Sequence, residues 1–158
     1  MSNYELEFFV SWEELHKAGR RLAHALKDVN EWKGILTVTR GGMVPSAILA
    51  RELNIRMIDT ICMTSYDGQD RGELTISKAP DIADEGAGWL IVDDLVDTGK
   101  TAAEVRSRYP KAHFATLYAK PAGLEYVDSY VEEVSQKTWI RFPWDMKLSY
   151  ADPIIKGG

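Results

Sequence analysis

The chain has 158 residues and a net charge of −5, from 19 Lys and Arg against 24 Asp and Glu. This length predicts one domain over residues 1–158, and a hydrophobic fraction of 45% is typical of a folded chain. The acidic balance excludes a generic nucleic-acid binder, and no apolar stretch approaches the ~20 residues that span a bilayer. Cys62 is the single cysteine, which excludes an internal disulfide and indicates a reducing cytosol.

The first half of the chain predicts alternating helices and strands. Its elements, in order, are a helix over roughly 12–26, a strand over 35–39, a helix from Pro45 to about Leu53, a strand over 57–65 and a polar loop over 67–72. Ser11 and Glu14 have the spacing of a capping box, in which each side chain accepts a hydrogen bond from a backbone N–H at the helix start. Arg40-Gly41-Gly42 separates the first of these strands from the second helix, which is the opening of a β-α-β unit.

The second half of the chain predicts further strands around one more helix. Its elements are a strand over 74–77, an acidic connection over 81–88, a strand over 89–92, a helix over 101–109, a strand over 113–119 and short strand-like pieces between 127 and 153. Apolar runs separated by helical patterns favour a mostly parallel sheet with helices on both faces. Ligands of such sheets bind at the carboxyl ends of the strands.

Three carboxylates, those of Asp93, Asp94 and Asp97, follow the strand at 89–92 and lead into a predicted helix. Backbone N–H groups and hydroxyls at residues 98–101 favour a phosphate, because the start of a helix carries partial positive charge. Carboxylates repel a phosphate, but they accept hydrogen bonds from hydroxyls and bind Mg²⁺. A phosphorylated ribose satisfies both preferences, and we favour it over the alternative of a solvated acidic turn.

Gly99-Lys100-Thr101 also matches the end of a P-loop, G-x-x-x-x-G-K-[ST]. That motif needs its first glycine at position 94, where this chain has Asp94. A carboxylate at that point would face the phosphates that the loop wraps. The sequence therefore excludes a P-loop.

The stretch Ile91–Gly99 resembles the phosphoribosyl-pyrophosphate (PRPP) signature of the type I phosphoribosyltransferases. From about Ser11 to Pro153 the chain resembles the bacterial xanthine-guanine phosphoribosyltransferases, a purine-salvage branch of that family. The segments that carry this second resemblance are Thr39–Pro45, Ser65–Asp67, Tyr118–Gly123, Thr138–Ile140 and Pro143–Met146. The resemblance implies the α/β fold of type I phosphoribosyltransferases, a mostly parallel central sheet flanked by helices, with a small hood built from the chain termini.

The same resemblance implies an activity and an assembly. It implies transfer of 5-phosphoribosyl from PRPP to N9 of guanine and xanthine, and less well of hypoxanthine, giving GMP, XMP or IMP and pyrophosphate. Mg²⁺ is the implied cofactor, and PRPP and 6-oxopurines are the implied substrates. A homotetramer is implied as well, in the cytoplasm and able to lie at the cytoplasmic face of the inner membrane.

Carried over residue by residue, the resemblance assigns the pyrophosphate of PRPP to a turn and a loop. Arg40 and Gly41 would bind it after the first predicted strand of the sheet, with the peptide bond between Thr39 and Arg40 in the cis form. In the family an arginine of the loop at 67–72 also reaches the pyrophosphate. Here Arg71 is the candidate, one residue before the family's position.

The resemblance assigns the rest of PRPP to the acidic segment. Asp93 and Asp94 would face the ribose hydroxyls, and Asp94 would be tied to Mg²⁺. Lys100 stands where the bacterial enzymes usually carry glycine. The remaining residues assigned to PRPP are Leu95, Val96, Asp97, Thr98, Gly99, Lys100 and Thr101, of which the last four would hold the 5-phosphate.

For the base, the resemblance places Asp97 near N7 of the purine, where it would manage a proton. Lys120 would donate to the 6-oxo group, a contact that selects against adenine because its 6-amino group cannot accept it. Trp139 and Ile140 would cover the purine, with backbone carbonyls reading its 2-position. With Asp93 and Asp94, Asp97 makes up the predicted catalytic set.

Two alternatives stay open at the level of sequence. One is a hypoxanthine-preferring phosphoribosyltransferase, because the contacts to the 2-position are backbone groups that a sequence does not show. The other is a non-catalytic, PRPP-sensing regulator of the same fold, since function does not follow from fold. The acidic charge counts against a regulator that binds nucleic acid.

Overall fold

The computed structural model describes residues 4–65, 73–146 and 152–155, and its elements follow the predicted order. The helices are α1 (Trp12–Leu26), α2 (Met43–Glu52) and α3 (Lys100–Arg108). The strands are β1 (Leu6–Phe9), β2 (Gly34–Thr39), β3 (Ile58–Ser65), β4 (Leu74–Lys78), β5 (Trp89–Val96), β6 (His113–Ala119), β7 (Ser129–Glu133) and β8 (Thr138–Arg141). The predicted loop at 67–72 lies outside the described residues.

Within the described ranges, the central sheet has six strands in the order β4-β3-β2-β5-β6-β7. Its neighbouring strands are parallel, apart from the antiparallel pair of β3 and β4. The prediction of a mostly parallel sheet is therefore confirmed. The chain continues from β2 to β3 on one side and from β5 to β6 on the other. This reversal of strand order leaves a crevice at the carboxyl ends of β2 and β5, where ligands bind in sheets of this kind.

Helices cover both faces of this sheet, as predicted. Successive side chains of a strand point to opposite faces. Ile35 of β2 accordingly joins a core with Leu15 of α1 and Leu49 of α2, whereas the next residue, Leu36, joins a second core with Val105 of α3. These side chains are fully buried, and burial of each stabilises the fold by about 1.5–3 kcal/mol.

The capping box predicted at the start of α1 is present. The backbone N–H of Glu14 donates to the Ser11 hydroxyl at 3.1 Å, and the backbone N–H of Ser11 donates to the Glu14 carboxylate at 2.8 Å. The helix covers the predicted range and buries one face, which includes Leu15, Leu22 and Leu26. Local sequence thus sets both the start of this helix and the side that it buries.

The chain termini form the small hood, a parallel pair of β1 and β8. A series of aromatic contacts joins it to the rest of the fold. Tyr118 of β6 packs edge-on against Phe8 and Phe142, with ring centroids 5.8 and 5.9 Å apart. Phe142 stacks on Trp144 at 4.8 Å, and Trp144 meets Trp12 of α1 at 6.3 Å. Trp144 therefore helps hold the hood over the sheet.

The strand predicted at 89–92 continues further than expected. β5 runs on to Val96, so Asp93 and Asp94 belong to the strand and not to the turn after it. The reason is the neighbouring strand: β6 pairs Thr116 with Asp93 and Ala119 with Val96. These backbone ladders keep the acidic segment extended, although carboxylates are unfavourable in strands.

Gly42 lies in the turn after β2, where a Cβ would collide with the backbone oxygens of Val38 and Val92. Its backbone conformation, with φ −78° and ψ −5°, suits any residue, so the constraint is purely steric. We expect Gly42→Ala to lower the free energy of unfolding by about 2 kcal/mol, because backbone oxygens cannot move aside. Urea unfolding followed by circular dichroism measures the change.

The matched control is Gly19→Ala in α1, whose new Cβ would meet the side chain of Ile48 and not backbone atoms. Alanine also has the higher helix propensity, by about 1 kcal/mol, which offsets part of the crowding. Equal losses of stability in the two variants would contradict the steric argument at Gly42.

Candidate active site

The carboxyl ends of β2, β5 and β6 lie side by side, with β5 in the middle. Each end leads into residues that the sequence assigned to the site: Arg40 after β2, Asp97 after β5 and Lys120 after β6. The backbone N–H of Lys120 donates to the Val96 carbonyl at 2.9 Å, which ties the ends of β6 and β5 together. The Thr39–Arg40 peptide bond is cis, as predicted.

A cavity of about 120 Å³, here called the smaller cavity, lies between the end of β5 and the start of α3. Gly99 precedes α3 with φ +87°, a left-handed conformation that favours glycine. The first N–H groups of a helix have no acceptor within the helix, so they are available to an anion. Most of the residues assigned to PRPP line this cavity: Asp93, Leu95, Val96, Asp97, Thr98, Gly99, Lys100 and Thr101.

A cavity of about 910 Å³, here called the larger cavity, is bounded by the turn after β2 and by residues that follow β8, among them Phe142, Trp144 and Asp145. It takes in the other residues assigned to PRPP within the described ranges, Arg40, Gly41 and Asp94. Asp93 and Asp94 are neighbours on β5: Asp93 lines the smaller cavity and Asp94 the larger one, and their carboxyl groups interact with each other. Arg71 lies outside the described residues.

The turn after β2 lies directly on the Asp94 carboxylate. A Cβ on Gly41 would come within 2.5 Å of Asp94 Oδ2, so this close approach requires glycine. Asp145 also lines the larger cavity, and its carboxylate accepts a hydrogen bond from the backbone N–H of Phe142 at 3.3 Å. Three carboxylates, those of Asp94, Asp145 and Asp152, and the guanidinium of Arg40 therefore line this cavity.

Burial raises the pKa of both carboxyl groups at the end of β5. The pKa of Asp93 lies well above its usual value because of burial, with the charge of Asp94 acting in the same direction. Burial likewise raises the pKa of Asp94 to about 6, and the charge of Asp145 adds to this effect. The backbone N–H of Asp94 donates to Asp93 Oδ1 at 2.8 Å. A cation placed at Asp94 would relieve this accumulation of negative charge.

The donor set at Asp94 fits Mg²⁺. This ion binds through one or two carboxylates and completes its octahedral shell with water and substrate phosphates. Asp94 supplies such a carboxylate at the edge of an open cavity. Among the described residues, no group of three or more His, Cys, Asp or Glu is arranged to hold a metal by itself.

Asp97 accepts hydrogen bonds from three different parts of the chain. Lys120 Nζ donates to Oδ2 at 3.1 Å, and the Tyr4 hydroxyl donates to the same oxygen at 3.2 Å. Gln136 Nε2 donates to Oδ1 at 2.7 Å, while its Oε1 accepts from the backbone N–H of Ala122 at 2.9 Å. The Asp97 carboxylate is thereby fixed in position beside the smaller cavity.

Lys120 is buried almost completely, with 1% of its surface exposed. A buried ammonium is costly without an anion, and Asp97 supplies that anion. The Nζ also lies 4.6 Å from the centroid of the Tyr4 ring, which adds a cation–π contact. Lys120 is thus held rigidly at the end of β6 and is no ordinary exposed lysine.

The two residues assigned to cover the base lie on opposite faces of β8. Trp139 is 40% exposed and meets Tyr4 edge-on, with ring centroids 4.8 Å apart. Ile140 is 5% exposed and packs in the core with Phe142. Of these two side chains, that of Trp139 can stack on a ligand, whereas Ile140 can contribute through its backbone.

Two residues at this site escaped the sequence analysis, Tyr4 and Gln136. Both reach Asp97 from the chain termini, across sequence separations of 93 and 39 residues. Neither has a motif around it, because the hood that positions them forms from distant segments. Gln136 lies between β7 and β8. Its position in the sequence shortly before Trp139 was the available signal that it belongs to the site.

The comparisons with known proteins agree on one family. Residues 11–151 match the family model described as phosphoribosyl transferase domain. The chain is 54% identical over 153 residues to the xanthine-guanine phosphoribosyltransferase of Desulfotalea psychrophila, covering 96% of this chain and 94% of that protein. It is 50% identical over 155 residues to the enzyme of the same name from Chromohalobacter salexigens, with coverage of 98% and 94%.

Among solved structures, the fold is similar to a purine phosphoribosyltransferase from Pyrococcus horikoshii. The TM-score is 0.74 at 28% sequence identity, and the match covers 96% of this chain and 99% of the other.

The raised pKa of Asp94 predicts that stability depends on pH. The folded chain holds the Asp94 proton up to about pH 6, whereas the unfolded chain releases it near pH ~4. The free energy of unfolding therefore falls as pH rises from about 4 to about 6. Above pH ~6 it is lowered by the full cost of burying the ionised Asp94 carboxylate. We expect Asp94→Asn to be more stable than wild type at pH 8 by about 1–2 kcal/mol, with the gain shrinking toward pH 4.5.

Urea unfolding at both pH values, in EDTA and without ligand, measures this difference. Glu31→Gln, at an exposed carboxyl, is the control and should change the free energy by less than about 0.5 kcal/mol. An Asp94→Asn protein that is less stable than wild type at pH 8 would show that burial does not penalise this carboxylate.

Proposed function

The chain belongs to the phosphoribosyl transferase family, and we propose that it transfers 5-phosphoribosyl from PRPP to N9 of guanine and xanthine. Hypoxanthine is the poorer substrate, and the products are GMP, XMP or IMP and pyrophosphate. The observation that carries the proposal is that residues 93–101 line one cavity at the sheet edge and that Asp97, among them, pairs with the buried Lys120. This arrangement places acceptors for a sugar, donors for a phosphate and an ammonium for a base within one crevice.

The smaller cavity takes the phosphorylated ribose. Backbone N–H groups at the start of α3 and the hydroxyls of Thr98 and Thr101 bind the 5-phosphate. Lys100 adds a positive charge at the cavity wall. Asp93 and Asp94 accept hydrogen bonds from the ribose hydroxyls, which orients the sugar for substitution at C1′.

The larger cavity takes the pyrophosphate. Arg40 supplies a guanidinium to this cavity. Gly41 also lines it, and its backbone binds phosphate oxygens. Asp94 would hold Mg²⁺, which neutralises charge on the pyrophosphate as it leaves. Arg71 is proposed as a further pyrophosphate contact from the loop at 67–72. These groups stabilise the charge that develops on the leaving group in an oxocarbenium-like transition state.

The base lies between the Asp97–Lys120 pair and Trp139. Lys120 donates to the 6-oxo group of the purine, and Trp139 stacks on its ring. The Ile140 backbone reads the 2-position. Asp97 lies near N7 and accepts its proton as N9 forms the bond to C1′. Because Gln136 and Lys120 fix the carboxylate, this acceptor is already in place when the base arrives.

Assembly and location are proposals as well. We infer a homotetramer in the cytoplasm, in support of which Phe9 and Trp12 expose large apolar surfaces beside the hood. The free thiol of Cys62 suits a reducing compartment. Within the described residues, the helices are all too short or too polar to cross a bilayer.

Initial rates with guanine, xanthine and hypoxanthine, each with PRPP and Mg²⁺, test the proposal. We expect turnover of all three with hypoxanthine slowest, and no turnover of adenine. A clear preference for hypoxanthine would favour the hypoxanthine-preferring alternative. No turnover of any base would contradict the proposal and favour the PRPP-sensing regulator.

Asp97→Asn tests the role in proton transfer. The substitution keeps the size of the side chain and removes the base, so we expect kcat to fall by about 100-fold or more. The KM for PRPP should change by less than about threefold, since the substrate still binds. Steady-state kinetics with guanine measures both constants.

Glu104→Gln, at an exposed carboxylate of α3, is the matched control and should leave both constants unchanged. Equal losses in kcat and in PRPP affinity for Asp97→Asn would show that Asp97 serves binding and not proton transfer.

A further inference from the structure

The side chain of Tyr4, which precedes β1 of the hood, already contacts the groups that we assign to the purine. The Tyr4 hydroxyl donates to Asp97 at 3.2 Å, and the Tyr4 ring centroid lies 4.6 Å from Lys120 Nζ. The same ring meets Trp139 edge-on at 4.8 Å. Three residues assigned to three different parts of the base are thus contacted by one phenol.

The chemistry of these contacts parallels that of a 6-oxopurine. A phenol O–H offers a donor to Asp97 as a purine N7–H does. Its π-face attracts the Lys120 ammonium, which would otherwise donate to a 6-oxo oxygen. Its ring covers part of Trp139, on which a base would stack. Tyr4 and a bound purine therefore compete for the same space and the same polar groups.

Resting on the proposed function, we propose that Tyr4 is an intramolecular competitor that occupies the purine site of the free enzyme and leaves it when the base binds. The base then meets a site that is open for only a fraction of the time. Its apparent affinity is reduced by that fraction.

Backbone contacts of the hood position Tyr4 at the base site, and they also allow the Tyr4 side chain to withdraw from it. The backbone N–H groups of Glu5 and Leu6 donate to the Lys137 carbonyl, and Lys137 Nζ pairs with the Glu5 carboxylate at 2.6 Å. Tyr4 precedes these anchors, since β1 begins at Leu6. Its side chain can therefore withdraw while the hood sheet and Trp139 keep their positions.

Tyr4 also satisfies the polar groups of the site when no base is bound. Without a base, Tyr4 and Gln136 satisfy the Asp97 carboxylate, and Tyr4 covers the Lys120 ammonium. Withdrawal of Tyr4 exposes this pair to the incoming base. Of the described residues assigned to PRPP, Asp97 is the one that contacts Tyr4 by these interactions, so PRPP affinity should respond much less to the residue than base affinity does.

Isothermal titration with GMP compares wild type, Tyr4→Ala and Tyr4→Phe. We expect Tyr4→Ala to bind GMP about fivefold more tightly, because the site no longer has to be vacated. Tyr4→Phe keeps the ring and loses the hydroxyl, so its affinity should lie between the other two. The KM for guanine should follow the same order, with kcat unchanged.

Two controls separate this effect from a general one. Pyrophosphate with Mg²⁺ should bind all variants equally, which shows that the fold and the rest of the site are intact. Tyr130→Ala removes an exposed tyrosine of β7 and should leave GMP affinity at the wild-type value.

Unchanged or weaker GMP binding by Tyr4→Ala overturns the inference, and weaker binding would make Tyr4 part of the wall that holds the base. If wild type turns over guanine in either case, the proposed function stands. No turnover of any base by wild type overturns the proposed function and this inference with it.

Discussion

Parallel alignment of β2, β5 and β6 brings their carboxyl ends to one edge of the sheet, and the site depends on this alignment. β5 lies in the middle and carries Asp93, which lines the smaller cavity, and Asp94, which lines the larger one. In the proposed complex, the sugar has its phosphate in the smaller cavity and its leaving group in the larger one. Because β2 and β5 flank the reversal of strand order, their carboxyl ends border a crevice.

Two pairs of charged side chains lie at this edge, one pair of opposite charge and one of like charge. Asp97 and the buried Lys120 neutralise each other, which holds both side chains in fixed positions. Asp93 and Asp94 lack such a balance, and burial raises the pKa of both. Mg²⁺ held at Asp94, as proposed, would supply the missing positive charge. The free protein carries a local electrostatic penalty that binding of the cation would relieve.

Some elements could be predicted closely from local sequence. The capping box at Ser11 and the apolar spacing after it set the bounds of α1, and the apolar run of β6 was found in full. The end of β5 was placed too early, at Val92, because carboxylates disfavour strands and the ladder to β6 is not visible in the sequence. β1 was missed, since its pairing partner β8 lies more than a hundred residues away in the chain.

By itself, the sequence located the acidic segment at 91–99 and predicted a phosphorylated ribose there, because backbone turns, helix starts and adjacent carboxylates act on a ligand over short stretches of chain. It also predicted helices on both faces of the sheet, from apolar runs separated by helical patterns. Only the tertiary structure decided which side chains meet Asp97: Tyr4 and Gln136 come from the termini, and Ile140 turns into the core. Such contacts depend on how the hood docks on the sheet, and docking is a sum of many weak, long-range packing interactions that no local motif encodes.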